Sequence, residues 1–145
     1  MISIIKYSKL VPNAKPPFRK NPTDAGADFY SSENVRISPN SMSIVHTGIS
    51  VEIPENYVLI LKPKSKNNHL VAAGVLDSFY DGGEVLVKVT NITNFCLDIK
   101  EGDAIAQGLY FPVETPQFEE IPIEDLKKNH ERSGIGGIVT QSKNI

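Results

Sequence analysis

The stretch ISVEIPENYVLIL, residues 49–61, joins two different strand patterns through a turn. In its first part the apolar residues Ile49, Val51 and Ile53 alternate with polar ones, which is typical of a half-buried strand. A proline and an asparagine follow and signal a turn. Residues 57–61 are apolar at every position, which indicates a strand covered on both faces. The stretch therefore predicts a β-rich fold with residues 57–61 at its centre.

The same alternation recurs downstream, where Val85, Val87 and Val89 predict another half-buried strand. Turn signals recur at a spacing typical of sandwiches and barrels. The one helical candidate covers residues 123–129, a short amphipathic stretch. Because no repeat or composition break divides the chain, we expect one all-β domain over residues 1–145 with at most one short helix.

Composition favours a soluble globular protein. Of the 145 residues, 40% are hydrophobic and 22% are charged, close to the globular average. The net charge of -2 gives no basic surface for duplex binding, so we expect no nucleic-acid partner. The apolar start is shorter than a signal-peptide core, and no run reaches membrane-spanning length. We expect an intracellular protein without a membrane partner, cytoplasmic if the source is prokaryotic or viral.

Cys96 is the only cysteine, so an intrachain disulfide cannot form. Its apolar neighbours Phe95 and Leu97 favour a buried apolar role over a nucleophilic one.

Residues 132–145 are rich in glycine and have little apolar surface to bury. They are interpreted as a flexible C-terminal arm.

Two segments carry polar groups that could bind a ligand, the first a hard oxygen ligand and the second a cluster suited to a polyphosphate. Asp28 follows a glycine at the start of a predicted strand and offers a hard oxygen ligand, although an aspartate near a turn is often only a backbone acceptor. The central strand then runs into Lys64, Ser65 and Lys66, which place two ammonium groups and a hydroxyl in one loop. A solvated basic turn is the alternative interpretation.

The third segment, residues 73–84, predicts a β-hairpin that presents Asp77 and Tyr80 near its base. A carboxylate beside an aromatic ring can activate water next to a sugar. A capping aspartate and a packing tyrosine fit the same pattern.

Two more segments follow. Gln107 lies between apolar residues on a predicted strand face, so its amide is either satisfied in the core or reaches a ligand. The glycine-rich residues 132–139 could close over a phosphate chain or be a frayed end.

In order and spacing, these five segments resemble the five motifs of the trimeric dUTPase (deoxyuridine 5'-triphosphate nucleotidohydrolase) family. The closest matches are residues 25–29, 73–80 and 102–107. The resemblance implies a jelly-roll or β-clip subunit and a homotrimer whose subunits share each active site. It also implies Mg²⁺-assisted hydrolysis of dUTP to dUMP and pyrophosphate, which limits uracil in DNA and supplies dUMP.

The resemblance also assigns roles to residues. Asp77 matches the base that activates the attacking water, Tyr80 lies against the deoxyribose, and the backbone around Gly74 reads the uracil edge. Asp28 matches the residue that reaches Mg²⁺ through water. Matches to the remaining substrate contacts are Lys64, Ser65, Lys66, Gln107, Arg132, Gly136, Gly137 and Ile138.

Several positions depart from the family pattern. Lys64 replaces an arginine, Lys66 replaces a glycine, Gly83 is an insertion expected to bulge the hairpin, and Ile138 replaces a stacking phenylalanine. A lysine keeps a point charge but loses the two-pronged contact of arginine. Two alternatives therefore stay open: a weakly active or inactive nucleotide-binding regulatory module on the same fold, and a dCTP deaminase-like relative.

Overall fold

A computed structural model describes residues 2–67, 69–71, 74–80 and 82–126. Within these ranges the chain forms β-strands and two one-turn 3₁₀ helices, Ser78–Tyr80 and Ile123–Asp125, and no α-helix. The strands are β1 Tyr7–Lys9, β2 Ala27–Tyr30, β3 Val35–Ile37, β4 Met42–His46, β5 Ile49–Val51, β6 Tyr57–Lys62, β7 Leu70–Val71, β8 Gly74–Leu76, β9 Leu86–Thr90, β10 Leu97–Ile99 and β11 Ala104–Pro112.

All described strand pairs are antiparallel, and the largest sheet has the order β2-β11-β6-β8. A second sheet has the order β4-β9-β7, and β1-β5 and β10-β3 form two-stranded sheets. In the largest sheet β6 and β11 pair continuously from Lys62 opposite Gln107 to Tyr57 opposite Pro112. The predictions of an all-β chain and of a central strand at residues 57–61 are confirmed.

The core follows the alternation in the sequence. Ile49, Val51 and Ile53 are buried while the residues between them are not, and the same holds for the valines of β9. Val87 lies opposite the fully buried Val45 of β4. Burial of one such side chain contributes roughly 1.5–3 kcal/mol. Because a one-residue slip would turn every one of these side chains outward, burial fixes the register of the strands.

The hairpin expected over residues 73–84 is wrong. β8 pairs with β6, whereas β9 pairs with β4 and β7 in the other sheet. The 3₁₀ helix Ser78–Tyr80 and residues 82–84 lie between these two strands. Gly83 consequently does not bulge a hairpin ladder; its N–H donates to the carbonyl of Tyr80 at 3.1 Å and closes a turn.

Cys96 was expected to be buried, and this is also wrong: its side chain is exposed, as is that of Phe95. The reason lies in the fully buried Asn91, whose amide donates to the carbonyls of Ile37 and Phe95. Its Oδ1 accepts from the backbone and hydroxyl of Thr93. These bonds fix the loop backbone toward the core, so the apolar side chains at its tip face outward.

Contacts divide the chain into residues 1–114 and residues 115–145. In the second unit the described part ends at residue 126 and contains one 3₁₀ turn at Ile123–Asp125 in place of the expected helix start; residues 127–129 lie outside the described residues. The arm expected over residues 132–145 also lies outside them, so a single domain with an arm stays a prediction. Among the described residues, no helix has the length and apolar character needed to cross a membrane.

Candidate active site

Three predicted site residues come together at one end of the largest sheet. Gln107 of β11 lies opposite Asp28 of β2 on one side and opposite Lys62 of β6 on the other. Just beyond β6, the ammonium of Lys64 binds the carboxylate of Asp28 at 2.7 Å. Both side chains are three-quarters buried, so solvent screens this ion pair less than an exposed one. The register of β11 thus brings a carboxylate, an amide and an ammonium to one level of the sheet.

Gln107 fastens the loop that follows β6. Its Nε2 donates to the carbonyl of Pro63 at 3.0 Å. Its Oε1 lies over Gly26, where a Cβ atom would come within 2.3 Å of that oxygen. Only a hydrogen atom at position 26 leaves room for the glutamine. One N–H of the amide is thus satisfied within the chain, and the second N–H is the one that a ligand would use.

The residues that follow β6 are bound to β11 at a second place. Asn67 donates to the carbonyl of Ala104, and the ring of the buried His69 lies 3.3 Å from the carbonyl of Ile105. Ser65 and Lys66 form the exposed turn between these anchors. Sequence reasoning missed His69, for which the only signal was a histidine directly after a polar loop.

Asp77 directly precedes the 3₁₀ helix after β8, and Tyr80 is the last residue of that helix. The amide of Tyr80 donates to the carbonyl of Asp77 at 3.0 Å, and the Asp77 side chain is exposed. With Ser78 and Gly82, Asp77 lines a cavity of about 310 Å³ whose other walls come from residues 6–8 and 50–53. This volume is at the lower end of the range for small-molecule sites.

Tyr80 is suited to packing through its ring and not to proton transfer through its hydroxyl. Its hydroxyl is buried and has no hydrogen-bond partner among the described residues. Burial raises the pKa of Tyr80 far above its usual value, and the nearby Glu84 raises it further, so the phenol stays neutral. Gly83 allows the ring to approach, because a Cβ there would meet a ring carbon at 3.2 Å.

The two groups of site residues lie at opposite edges of the sheet. Asp28 on β2 and Asp77 after β8 are separated by three strand spacings, about 14 Å. Because Leu76 lies opposite Leu59, Asp77 is also displaced along the strands by four residues from Lys62, about 13 Å. The combined separation is roughly 20 Å. One chain therefore does not bring Asp77 to the cluster around Gln107.

The remaining predicted residues divide into two groups. Gly74 lies on β8 opposite Leu61, whose side chain a Cβ at position 74 would approach to 3.2 Å. Arg132, Gly136, Gly137 and Ile138 lie outside the described residues. Within the described ranges, no group of three or more His, Cys, Asp or Glu side chains is placed to hold a metal ion.

Comparison with known proteins identifies the family. The dUTPase family model matches residues 13–138. The deoxyuridine 5'-triphosphate nucleotidohydrolase of Rhodococcus erythropolis is 36% identical over 124 residues, which cover 81% of this chain and 75% of that protein. The enzyme of the same name from Candida albicans is 35% identical over 137 residues, covering 92% and 84%. This chain belongs to the dUTPase family.

A solved structure agrees with this assignment. A mutant dUTPase from phage phi11 of S. aureus superposes with a TM-score of 0.79 at 25% identity, covering 87% of this chain and all of that one. That structure was described as showing how a structural Mg(II) ion is coordinated. The dUTPase-like fold that the motifs implied is confirmed.

The contact between Gly26 and Gln107 yields a prediction. Gly26→Ala should destabilise the fold by about 1–3 kcal/mol, because the new methyl group overlaps the amide of Gln107. Gln107→Ala removes the amide and its 2.3 Å approach, and leaves only the Cβ of residue 107 at 3.0 Å from the new methyl group. The double variant should therefore be more stable than the sum of the single effects by about 1 kcal/mol or more. Urea denaturation at one fixed protein concentration measures this coupling.

Gln117→Ala, which truncates an exposed glutamine, is the matched control for that cycle. Combined with Gly26→Ala, it should give additive effects. Additivity for Gln107→Ala as well would contradict the close approach between the two positions.

Proposed function

We propose that this chain is a dUTP diphosphatase that forms a homotrimer and hydrolyses dUTP to dUMP and pyrophosphate with Mg²⁺. Family membership supports the reaction. The observation that carries the site assignment is the exposed Asp77, which lines a cavity and begins the short turn that ends at Tyr80.

In this proposal Asp77 is the general base. A carboxylate oxygen of Asp77 accepts a proton from water while the water oxygen forms a bond to the α-phosphorus. The bond from that phosphorus to the bridging oxygen breaks, and pyrophosphate leaves with the electron pair. Lys64 and Lys66 would offset the phosphate charge, and Ser65 and Gln107 would donate hydrogen bonds. Catalysis then depends on positioning and on charge stabilisation.

Specificity would come from the turn and from β8. The neutral ring of Tyr80 would offer a flat apolar surface to a deoxyribose and leave no room for a 2'-hydroxyl. The backbone at Gly74 would read the uracil edge. Hydrogen-bond readout of this kind rejects a wrong base strongly, because a mismatch leaves buried polar groups unpaired.

The described residues fit a magnesium ion carried mainly by the substrate. Mg²⁺ in nucleotide sites is usually held by phosphates, waters and one or two carboxylates. Asp28, Lys64 and Gln107 form the proposed phosphate-binding cluster, in which Asp28 is the carboxylate and is paired with Lys64. We propose that Asp28 contacts the ion through water and that the ion supplies charge neutralisation at the phosphates.

The separation of roughly 20 Å between Asp28 and Asp77 supports a site built by more than one chain. A closed cyclic trimer would place Asp77 of one subunit near the Gln107 cluster of another without leaving an open interface. Residues 132–145 are proposed to close over the nucleotide, with Arg132, Gly136 and Gly137 at the phosphates and Ile138 near the base.

A second candidate, deamination of dCTP, has one structural observation in its favour. Glu52 lines the same cavity as Asp77, so a second carboxylate is present there that could shuttle protons to a base. Release of ammonia from dCTP would identify this activity, and release of pyrophosphate from dUTP would identify the first.

The proposed base gives a direct test. Purified wild-type chain with Mg²⁺ should release pyrophosphate from dUTP. Asp77→Asn should bind a non-hydrolysable dUTP analogue normally but lose about 10²-fold or more in turnover, because the amide cannot accept the proton. Asp98→Asn, at another exposed carboxylate, should keep wild-type turnover. Near-normal turnover by Asp77→Asn would remove Asp77 from the role of base.

The shared site predicts complementation between inactive variants. Asp77→Asn chains and Gln107→Ala chains should each be slow alone. After joint unfolding and refolding, mixed trimers should regain activity, because some sites combine an intact Asp77 with an intact Gln107 from different chains. Mixing without subunit exchange is the control. If refolded mixtures show only the sum of the separate activities, each site is built within one chain.

A further inference from the structure

The turn that carries Asp77 and Tyr80 is fastened at its C-terminal end by Glu84. One carboxylate oxygen of Glu84 accepts the backbone N–H of Gly48 at 2.8 Å. The other lies 3.0 Å from Nδ1 of His46. The side chain of Glu84 is about three-quarters buried. A carboxylate with both oxygens engaged has one orientation, and so does the backbone that carries it.

The next residue repeats the attachment. The hydroxyl of the fully buried Thr47 donates to the carbonyl of Val85 at 2.6 Å, and the N–H of Val85 donates to the carbonyl of Ile49 at 2.8 Å. Residues 84–85 are thus bound to residues 46–49 by four hydrogen bonds. We call this set the Glu84 clamp.

Two backbone hydrogen bonds connect the clamp to Tyr80 and Asp77. The N–H of Gly83, next to Glu84, donates to the carbonyl of Tyr80, and the N–H of Tyr80 donates to the carbonyl of Asp77. The charge of Glu84 is also close enough to Tyr80 to raise its pKa. A displacement of Glu84 would therefore pass through Gly83 to the ring of Tyr80 and then to Asp77.

We propose that Glu84 and His46 are positioning residues, which hold the Asp77–Tyr80 turn in the geometry needed for turnover and for rejection of ribonucleotides. This inference rests on the proposed function. A misplacement of about 1 Å in a catalytic group can cost about 10²-fold in rate. Neither residue touches the substrate in this account, so both act through the turn.

The clamp includes a titratable group. The hydrogen bond to Glu84 is the main cause that raises the pKa of His46, with a smaller contribution from the charge of Glu33. Glu33 also accepts the backbone N–H of His46 at 3.1 Å. A raised pKa means that the added stabilisation is complete below pH 6.5 and is lost as the pH rises through the folded-state value. The imidazole is half exposed, so solvent screening reduces the size of this effect.

The variants that test the clamp differ in which of its hydrogen bonds they keep. Glu84→Ala removes both contacts, whereas the amide of Glu84→Gln can still accept from Gly48 and donate to a neutral His46. His46→Asn keeps a donor near the position of Nδ1 but does not titrate. Glu55→Gln, at an exposed turn, is the matched control.

We expect Glu84→Ala to lower kcat for dUTP about tenfold or more and to raise the ratio of UTP to dUTP kcat/KM by a similar factor, far below its melting temperature. Glu84→Gln should restore most of both, and Glu55→Gln should match the wild type. Discrimination against UTP should weaken from pH 6 to pH 8 in the wild type and stay level in His46→Asn. If Glu84→Ala lowers only the melting temperature, the clamp is structural and the inference is overturned.

A second measurement separates this inference from the proposed function. Deuterium exchange of the peptide spanning the turn should be faster in Glu84→Ala than in the wild type and unchanged in Glu55→Gln. A wild-type chain that does not hydrolyse dUTP would refute the proposed function. The deuterium-exchange comparison would still test whether Glu84 holds the turn in place. Unchanged exchange in Glu84→Ala would refute the clamp whatever the activity.

Discussion

The pairing of β11 with both β2 and β6 is the constraint on which the rest of the structure depends. It places Gln107 level with Asp28 and with the end of β6, so the loop after β6 begins beside a carboxylate and an amide. Gly26 then permits the glutamine to lie against the chain. The cluster of Asp28, Lys64 and Gln107, proposed to bind the phosphates, is therefore a consequence of strand register, which the buried core fixes.

The same sheet keeps the proposed base away from that cluster. Asp77 follows the far edge strand, and the width of the sheet exceeds the reach of its side chain. The anchor for the turn lies outside this sheet, because Glu84 and Val85 bind residues 46–49, which run from the end of β4 to the start of β5. The geometry around Asp77 thus depends on contacts outside the largest sheet, and the cluster of Asp28, Lys64 and Gln107 depends on contacts within it.

The sequence predicted correctly those features that depend on short-range patterns of residues. Alternation at residues 49–53 and 85–89 identified buried faces, and the order of the motifs identified the family. The prediction of a hairpin was wrong because β8 pairs with β6, and β9 pairs with β4 and β7. The alternation of apolar residues does not specify which strands pair. The prediction of a buried Cys96 was wrong because the buried amide of Asn91 binds the backbone of the loop that carries Cys96. The Glu84 clamp was missed because His46 and Glu84 are 38 positions apart, and the segment that contains Glu84, residues 73–84, does not include His46.

The central claim is that this chain directs water to the α-phosphorus of dUTP. Hydrolysis in water enriched in the heavy oxygen isotope, followed by mass spectrometry of both products, tests it most directly. The account predicts that the label enters dUMP and that pyrophosphate stays unlabelled. Label in the pyrophosphate would contradict it, because the attack would then fall on the β-phosphorus.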